Sequence, residues 1–466
     1  MNARSPEDIQ PAGVEIVGHV APGQPSKPTA DTGAGALVVS FLLCLYMIGT
    51  GRWGSYIGIP GAPFFVGDML FALSLVQVAI QLSRNRSALR SLAQAPLVLL
   101  LTVSLAAYAT LRMAAGLDTS TTALRDFAPY AYAFIALLAF LLPPRSEAPW
   151  RRVIYSVLSF HTTWVVALPL VPGFPWSLPV LGSDAVLLVA RPDFDSAICG
   201  VSAAFALHHM LACHGPRRPG RTAMLSIFIA ANVYGMATLE TRAGFLAGLV
   251  PMAAVVITWL ATKRDGVGGA APPRLRRQVT IVVVIVAIAS AALLLTPTGG
   301  RLMDGLGTSS SQARGTINVR QNVWDRVNDF VLQSPTRTAV GVGFGRNFVD
   351  ESGSRVALEG TTFLNVRSPH NYIVGTLARL GVAGALLATL IIFLGGILAL
   401  SQLKRPCGPV TAIAAMLCLA LPITALLGVI FESPFGALPY YWAIGQLASQ
   451  AASRRGEGVA PRRVTS

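Results

Sequence analysis

The sequence predicts an all-α polytopic membrane protein of about 12 transmembrane helices, with a long, partly helical loop between helices 9 and 10. Three observations predict it. Of 466 residues, 53% are hydrophobic and only 12% charged, about half the charged share of an ordinary soluble domain. A soluble chain of this length needs more charge to cover its surface, and the same composition excludes disorder and coiled coil. The apolar residues also gather into stretches long enough, or nearly so, to cross about 30 Å of hydrocarbon. Finally, the basic residues are sorted between alternate connections.

Residues 1–33 hold Pro6, Pro11, Pro22, Pro25 and Pro28 and few large apolar side chains. They read as a disordered cytoplasmic tail. No apolar run follows a basic start, so a signal peptide is not expected. Residues 34–450 read as a single membrane domain, with apolar stretches at 35–50, 64–82, 95–114, 127–142, 153–171, 195–213, 223–239, 243–261, 279–296, 381–401, 410–430 and 436–450. One connection is long, the large external loop 297–370, and residues 451–466 form a basic cytoplasmic tail.

With the N-terminus inside, the short inner loops hold sixteen Lys and Arg, clustered at 84–90, 145–152, 217–221, 263–277 and 404–405. The short outer segments hold five: Arg52, Arg112, Arg125, Arg191 and Arg242. That asymmetry is the positive-inside pattern. It puts both termini in the cytoplasm and the 297–370 loop outside. The net charge of +15 therefore orients the protein, and no nucleic-acid partner is expected. The five cysteines, Cys44, Cys199, Cys213, Cys407 and Cys418, leave the long loop free of thiols, so no disulfide framework is expected there.

Ionisable groups near the bilayer are costly and are candidates for function. Asp68, Arg112, Arg125, Asp126, Arg191, Asp193, Asp195, Glu240 and Arg242 all map to the outer face. Arg242 stands in a hairpin of almost no length, Leu-Glu-Thr-Arg-Ala-Gly at 239–244. It reads as an anion-binding Arg, as a snorkelling interfacial Arg, or as an ion-pair partner of Glu240. In the long loop, Val319, Val323, Val327, Phe330 and Val331 predict an amphipathic helix over 318–332. Arg320 lies in line with Trp324 on that helix, either stacked on the indole or free to hold an anion.

Gly341, Gly343 and Gly345 follow in Gly-Val-Gly-Phe-Gly. Such a turn either exposes N–H groups to an anion or only joins the loop to the membrane domain. Next comes Ser368-Pro369-His370-Asn371. Pro369 marks a helix start, which places His370 at a helix N-terminus whose positive potential keeps the ring neutral. A neutral His can accept a hydroxyl proton; the alternative is a residue that only caps the helix. His208, His209, Cys213 and His214 resemble a metal cluster but fit no zinc spacing and fall at the cytoplasmic end, so a structural role is expected. His161 reads as a satisfied buried histidine. No acidic cluster is placed to bind a metal, and no cofactor is expected.

Taken in order, Thr-Arg-Ala-Gly at 241–244, Arg320 four before Trp324, Gly-Val-Gly-Phe-Gly at 341–345, and Pro-His-Asn at 369–371 before Leu-Gly-Val-Ala-Gly at 380–384 resemble the bacterial O-antigen ligase and polymerase superfamily. These are membrane glycosyltransferases of the GT-C type. The resemblance covers about 195–400 and is only topological elsewhere; Thr241 stands where Ser is commoner. It implies a metal-independent transfer on the periplasmic face of the inner membrane. The donor would be a glycan on a polyprenyl pyrophosphate. The acceptor would be a sugar hydroxyl, on a lipid-linked repeat for a polymerase or on lipid A–core for a ligase.

By that resemblance Arg242 and Arg320 hold the pyrophosphate and His370 is the base. Arg379, Gly341, Gly343, Gly345, Asn371 and Trp324 are expected around the substrate, and polysaccharide-assembly proteins are candidate partners. The reading from a different class is a transporter or flippase. Such proteins show repeated halves and charge at the midplane; here the halves differ and the charge gathers at one face.

Overall fold

The computed structural model describes residues 66–84, 92–143, 147–170, 191–212, 219–264, 311–355 and 367–459. The described residues are helical and contain no strand. In chain order they form α1 (Val66–Arg84), α2 (Leu97–Gly116), α3 (Thr121–Ala131), a 3₁₀ turn (Tyr132–Phe134), α4 (Ile135–Leu141), α5 (Glu147–Leu170), α6 (Pro192–Ala212) and α7 (Pro219–Thr238). They continue with α8 (Arg242–Arg264), α9 (Ser311–Leu332), α10 (Pro335–Val340), α11 (Phe348–Glu351), α12 (Tyr372–Leu403), α13 (Pro409–Leu426), a second 3₁₀ turn (Ile430–Glu432) and α14 (Pro434–Val459).

Ten of the expected spans coincide with helices or helix pairs. The stretches 35–50 and 279–296, the N-terminal tail, residues 460–466 and loop residues 297–310 and 356–366 lie outside the described residues; the start of the expected C-terminal tail, 451–459, continues α14 instead. Six segments are long and apolar enough to cross a membrane: Leu97–Gly116, Thr121–Leu141, Pro192–Leu211, Arg242–Thr262, Tyr372–Leu403 and Pro409–Leu426. This is a multi-pass helical membrane protein.

The helices sort by burial. The most apolar windows of α6 and α13 are 83% and 78% buried, those of α2 and α12 only 33% and 28%. So α6 and α13, with the buried α14, form the centre, and α1, α2, α8 and α12 present large apolar side chains outward. Within the bundle α6 packs against both α7 and α8, and α13 against α6, α8, α12 and α14.

The α6–α8 crossing is set by small residues. Ser196 and Gly200 on α6 face Gly244 and Gly248 on α8, each pair one turn apart. A Cβ on Gly200 would stand 2.0 Å from the Cα of Gly248, and one on Gly244 would stand 2.7 Å from the Cβ of Ser196. Without a hydrophobic drive between helices in lipid, such close backbone approach supplies the packing energy.

The tenth predicted span begins earlier than its hydropathy suggests. α12 starts at Tyr372 and breaks at Gly381, whose φ of 68° and ψ of −168° are non-helical. A helix break within a membrane domain orphans carbonyls, which must find donors inside the protein. Here they do. The Ala378 carbonyl accepts from Val342 N–H at 2.8 Å, the Arg379 carbonyl from Gly343 N–H at 3.0 Å, and the Leu380 carbonyl from the Tyr108 hydroxyl at 3.0 Å.

Candidate functional site

The hairpin between α7 and α8 closes within three residues, with Glu240 in the left-handed region at φ 52°. Thr241 caps α8, its hydroxyl accepting from Gly244 N–H at 3.1 Å. The same hydroxyl donates to the Asp193 carboxylate in the first turn of α6. The hairpin is thereby pinned to α6, and Arg242, the first residue of α8, is half-buried. Among the described residues Arg242 forms no ion pair.

The helix predicted over 318–332 is present and longer, as α9. Val323, Val327 and Val331 are buried against Phe348, Val349 and Ala378. Arg320 and Trp324, one turn apart, reach from its edge to different elements. Arg320 Nη1 donates to the Leu427 carbonyl at 2.8 Å, in the turn after α13. Trp324 Nε1 donates to the Pro369 carbonyl at 2.6 Å. The indole thus fixes the segment before α12, and the guanidinium reaches past it.

That segment is an organised turn. Ser368 donates its hydroxyl to Glu432 and accepts from His370 N–H at 3.2 Å. Asn371, not His370, caps α12: its Oδ1 accepts from Ile373 N–H at 3.0 Å and Val374 N–H at 3.2 Å. His370 therefore sits just outside the helix, in the left-handed region at φ 54°. Non-glycine residues are uncommon there, and the surroundings must hold them in place. The ring's pKa is lowered first by burial and then by the Arg320 guanidinium, with the Asp193 carboxylate opposing. The direction matches expectation, but the principal cause is burial.

Arg242 and Arg320 are therefore tied to common ground. Asp193 Oδ1 holds Thr241, next to Arg242. Its Oδ2 faces Gly428, where an added Cβ would lie 3.5 Å away, and Gly428 follows the carbonyl that anchors Arg320. His370 lies within electrostatic reach of both Arg320 and Asp193. The segments that carry Arg242, Arg320 and His370 are thus linked through Asp193 and its neighbours.

The other predicted residues have internal partners. Arg379 is 4% exposed. It donates to Asp126 at 3.1 Å, lies 4.0 Å from Glu432 and sits over the Phe348 ring. Asp126 also takes Arg367 at 3.2 Å and Gly345 N–H at 3.3 Å. The glycine turn spends its N–H groups inside the protein: Gly341 on Arg337 O, Gly343 on Arg379 O and Gly345 on Asp126. Of the two readings open for this turn, the geometry corresponds to the joint. Gly341, Gly343 and Gly345 all have positive φ, and a Cβ on Gly341 would stand 2.3 Å from the Arg379 carbonyl carbon.

At the opposite end of the helices, His209 bonds Arg221 and His208 lies 3.7 Å from the Cys407 sulfur. Cys213 and His214 lie outside the described residues. His161 is fully buried and bonds Asp195 at 3.1 Å.

Sequence reasoning named Asp126 and Asp193 only as charges on one face and gave Ser368 and Glu432 no part. Glu432 carried a signal, a lone acid in Val-Ile-Phe-Glu-Ser. Its partners, 53 and 64 residues earlier in the chain, did not.

Residues 225–389 match the family model described as O-antigen ligase. Over those residues the match supports the O-antigen ligase and polymerase superfamily. The O-antigen ligase domain runs from within α7 into α12 and contains all four ordered motifs. It therefore carries Arg242, Arg320 and His370, while Asp126 and Asp193 come from helices that precede it and Glu432 from a turn that follows it. A search of curated proteins gives no match.

Proposed function

We propose that the protein is a membrane glycosyltransferase that moves a glycan from a polyprenyl pyrophosphate to a sugar hydroxyl on the outer face of the cytoplasmic membrane. The observation that carries this reading is that Arg320 and Asp193 both act on His370, whose pKa is lowered, while Asp193 holds Thr241 beside Arg242, with neither arginine in an ion pair among the described residues.

The chemistry follows from the charges. As the glycosidic bond breaks, the pyrophosphate leaves with the bonding electron pair and negative charge grows on its oxygens. Two guanidiniums meet that charge with fixed, always-protonated donors. His370, neutral because its pKa is lowered, accepts the acceptor hydroxyl's proton as the oxygen attacks the anomeric carbon. One bond forms and one breaks at opposite faces of the sugar, so the configuration inverts. The arginines supply the charge that a divalent cation would otherwise bring, which makes the transfer metal-independent.

The test offers purified protein one lipid-linked repeat, with and without lipid A–core. A ladder without core identifies a polymerase, and a product only with core a ligase. No covalent product under either condition, with donor moved across vesicle membranes, would establish the flippase reading instead. Polymerase or general polysaccharide assembly is the outcome we favour.

A further inference from the structure

We propose that Asp193 is a positioning residue for the transfer, holding the Arg242 hairpin and the His370 base in one unit and stabilising the imidazolium formed when His370 takes the proton. The proposal rests on His370 being the base.

Its position supports it. Asp193 lies in the first turn of α6, where the helix dipole favours a carboxylate. The helix start is itself fastened. Asp195 accepts from Arg191 N–H at 2.6 Å and from the buried His161 at 3.1 Å, and Arg191 stacks over Phe435. From this fixed start Asp193 turns one oxygen to Thr241 and the other toward Gly428. Asp193 thus adjoins both the residue before Arg242 and the turn whose Leu427 carbonyl holds the Arg320 guanidinium. The backbone also leaves no room for slack, since a side chain on Gly244 would stand 2.8 Å from the Asp193 carbonyl oxygen.

The electrostatic part has a definite sign. Among the described residues, the charged groups whose fields act on His370 include Arg320 from α9 and Asp193 from α6; Glu432 is engaged by Ser368, two residues before His370. Arg320 disfavours the imidazolium and Asp193 favours it. After proton transfer the ring carries a positive charge beside a guanidinium, and Asp193 is the neighbouring group that offsets this. An Asn in its place still accepts from Thr241 but lacks the charge. Without that charge the His370 pKa falls further and the ring becomes a weaker base.

The experiment measures initial rates against pH for full-length purified protein, with a polyprenyl-pyrophosphate-linked oligosaccharide repeat as donor and a second repeat or lipid A–core as acceptor. His370→Ala is the control on the underlying reading. Asp193→Asn is expected to lower kcat at neutral pH roughly tenfold or more, within the range of general-base contributions. The acid limb should move to lower pH by about one unit, the scale set by one opposite charge nearby. Asp193→Glu, which keeps the charge, should recover part of the rate and restore the limb. Thr241→Val, which breaks the clamp but leaves the carboxylate, should slow transfer without moving the limb.

If His370→Ala is inactive while Asp193→Asn keeps the wild-type rate and limb, this proposal fails and the base assignment stands. If Asp193→Asn is slow with an unmoved limb, Asp193 is a structural clamp alone and the proposal is overturned. An active His370→Ala would remove the base reading, and the proposal with it.

Discussion

Arginines near one end of the helices take two opposite arrangements. Arg379 is buried, paired with Asp126 and close to Glu432, and roofed by Phe348. Arg242 and Arg320 are half-buried and without an ion pair among the described residues; Arg320 holds only a backbone carbonyl. The difference lies in what surrounds each guanidinium. A cation already matched by carboxylates organises the protein, whereas one held in place by neutral groups keeps its charge for an anion. Asp126 makes the contrast sharper. It gathers Arg379, Arg367 and the glycine turn into one joint, without entering the chemistry proposed for that end.

The largest expected effect breaks the buried side of this comparison. Arg379→Ala removes the cation shared by buried Asp126 and Glu432; Asp126 keeps Arg367, but Glu432 is left without an ion pair among the described residues, a loss of about 3–5 kcal/mol. Protein yield and thermal unfolding in detergent should fall markedly, with activity lost as a consequence. Next comes the open side. Arg242→Ala or Arg320→Ala should cost about 100- to 1000-fold in transfer rate, as for other charge-stabilising donors, with unfolding temperature nearly unchanged. Equal losses of stability in all three variants would erase the distinction. Lys at 242 or 320 should recover only part of the rate, because it lacks the planar fork; full recovery would mean that charge alone suffices.

A milder effect concerns pH. His370 must be neutral to accept a proton, and its pKa is held below the ordinary histidine value by burial and Arg320. Activity should therefore stay on its plateau at neutral pH and fall only as pH drops below the usual histidine range. An acid limb centred above that range would point to another base. The smallest effect is expected from EDTA, which should leave the transfer rate unchanged; inhibition reversed by a divalent cation would contradict transfer driven by arginines.

Much of this molecule was legible in sequence because its causes are local. Apolar stretches mark helices, and the 3.6-residue period over 318–332 marked α9 and its buried face. The ordered motifs singled out Arg242, Arg320 and His370 before any geometry. The break in α12 was not legible, because Leu-Gly-Val-Ala-Gly reads as continuous apolar helix. Gly381 adopts its φ of 68° only because Val342, Gly343 and Tyr108 arrive from elsewhere to satisfy the freed carbonyls. In the same way Asn371, Trp324 and the three glycines were recognised as special, but their partners come from distant segments.

The sequence by itself determined the class of protein, most of its helices and the residues worth testing, since hydropathy and motif order are properties of neighbours along the chain. Only the tertiary structure decided which charge has a partner. Arg379 meets a carboxylate 253 residues away, Thr241 meets Asp193 48 residues away, and Arg320 meets a carbonyl 107 residues away. Whether an arginine is spent on the fold or left for an anion depends on those long-range pairings, and pairing at such separations is fixed by packing.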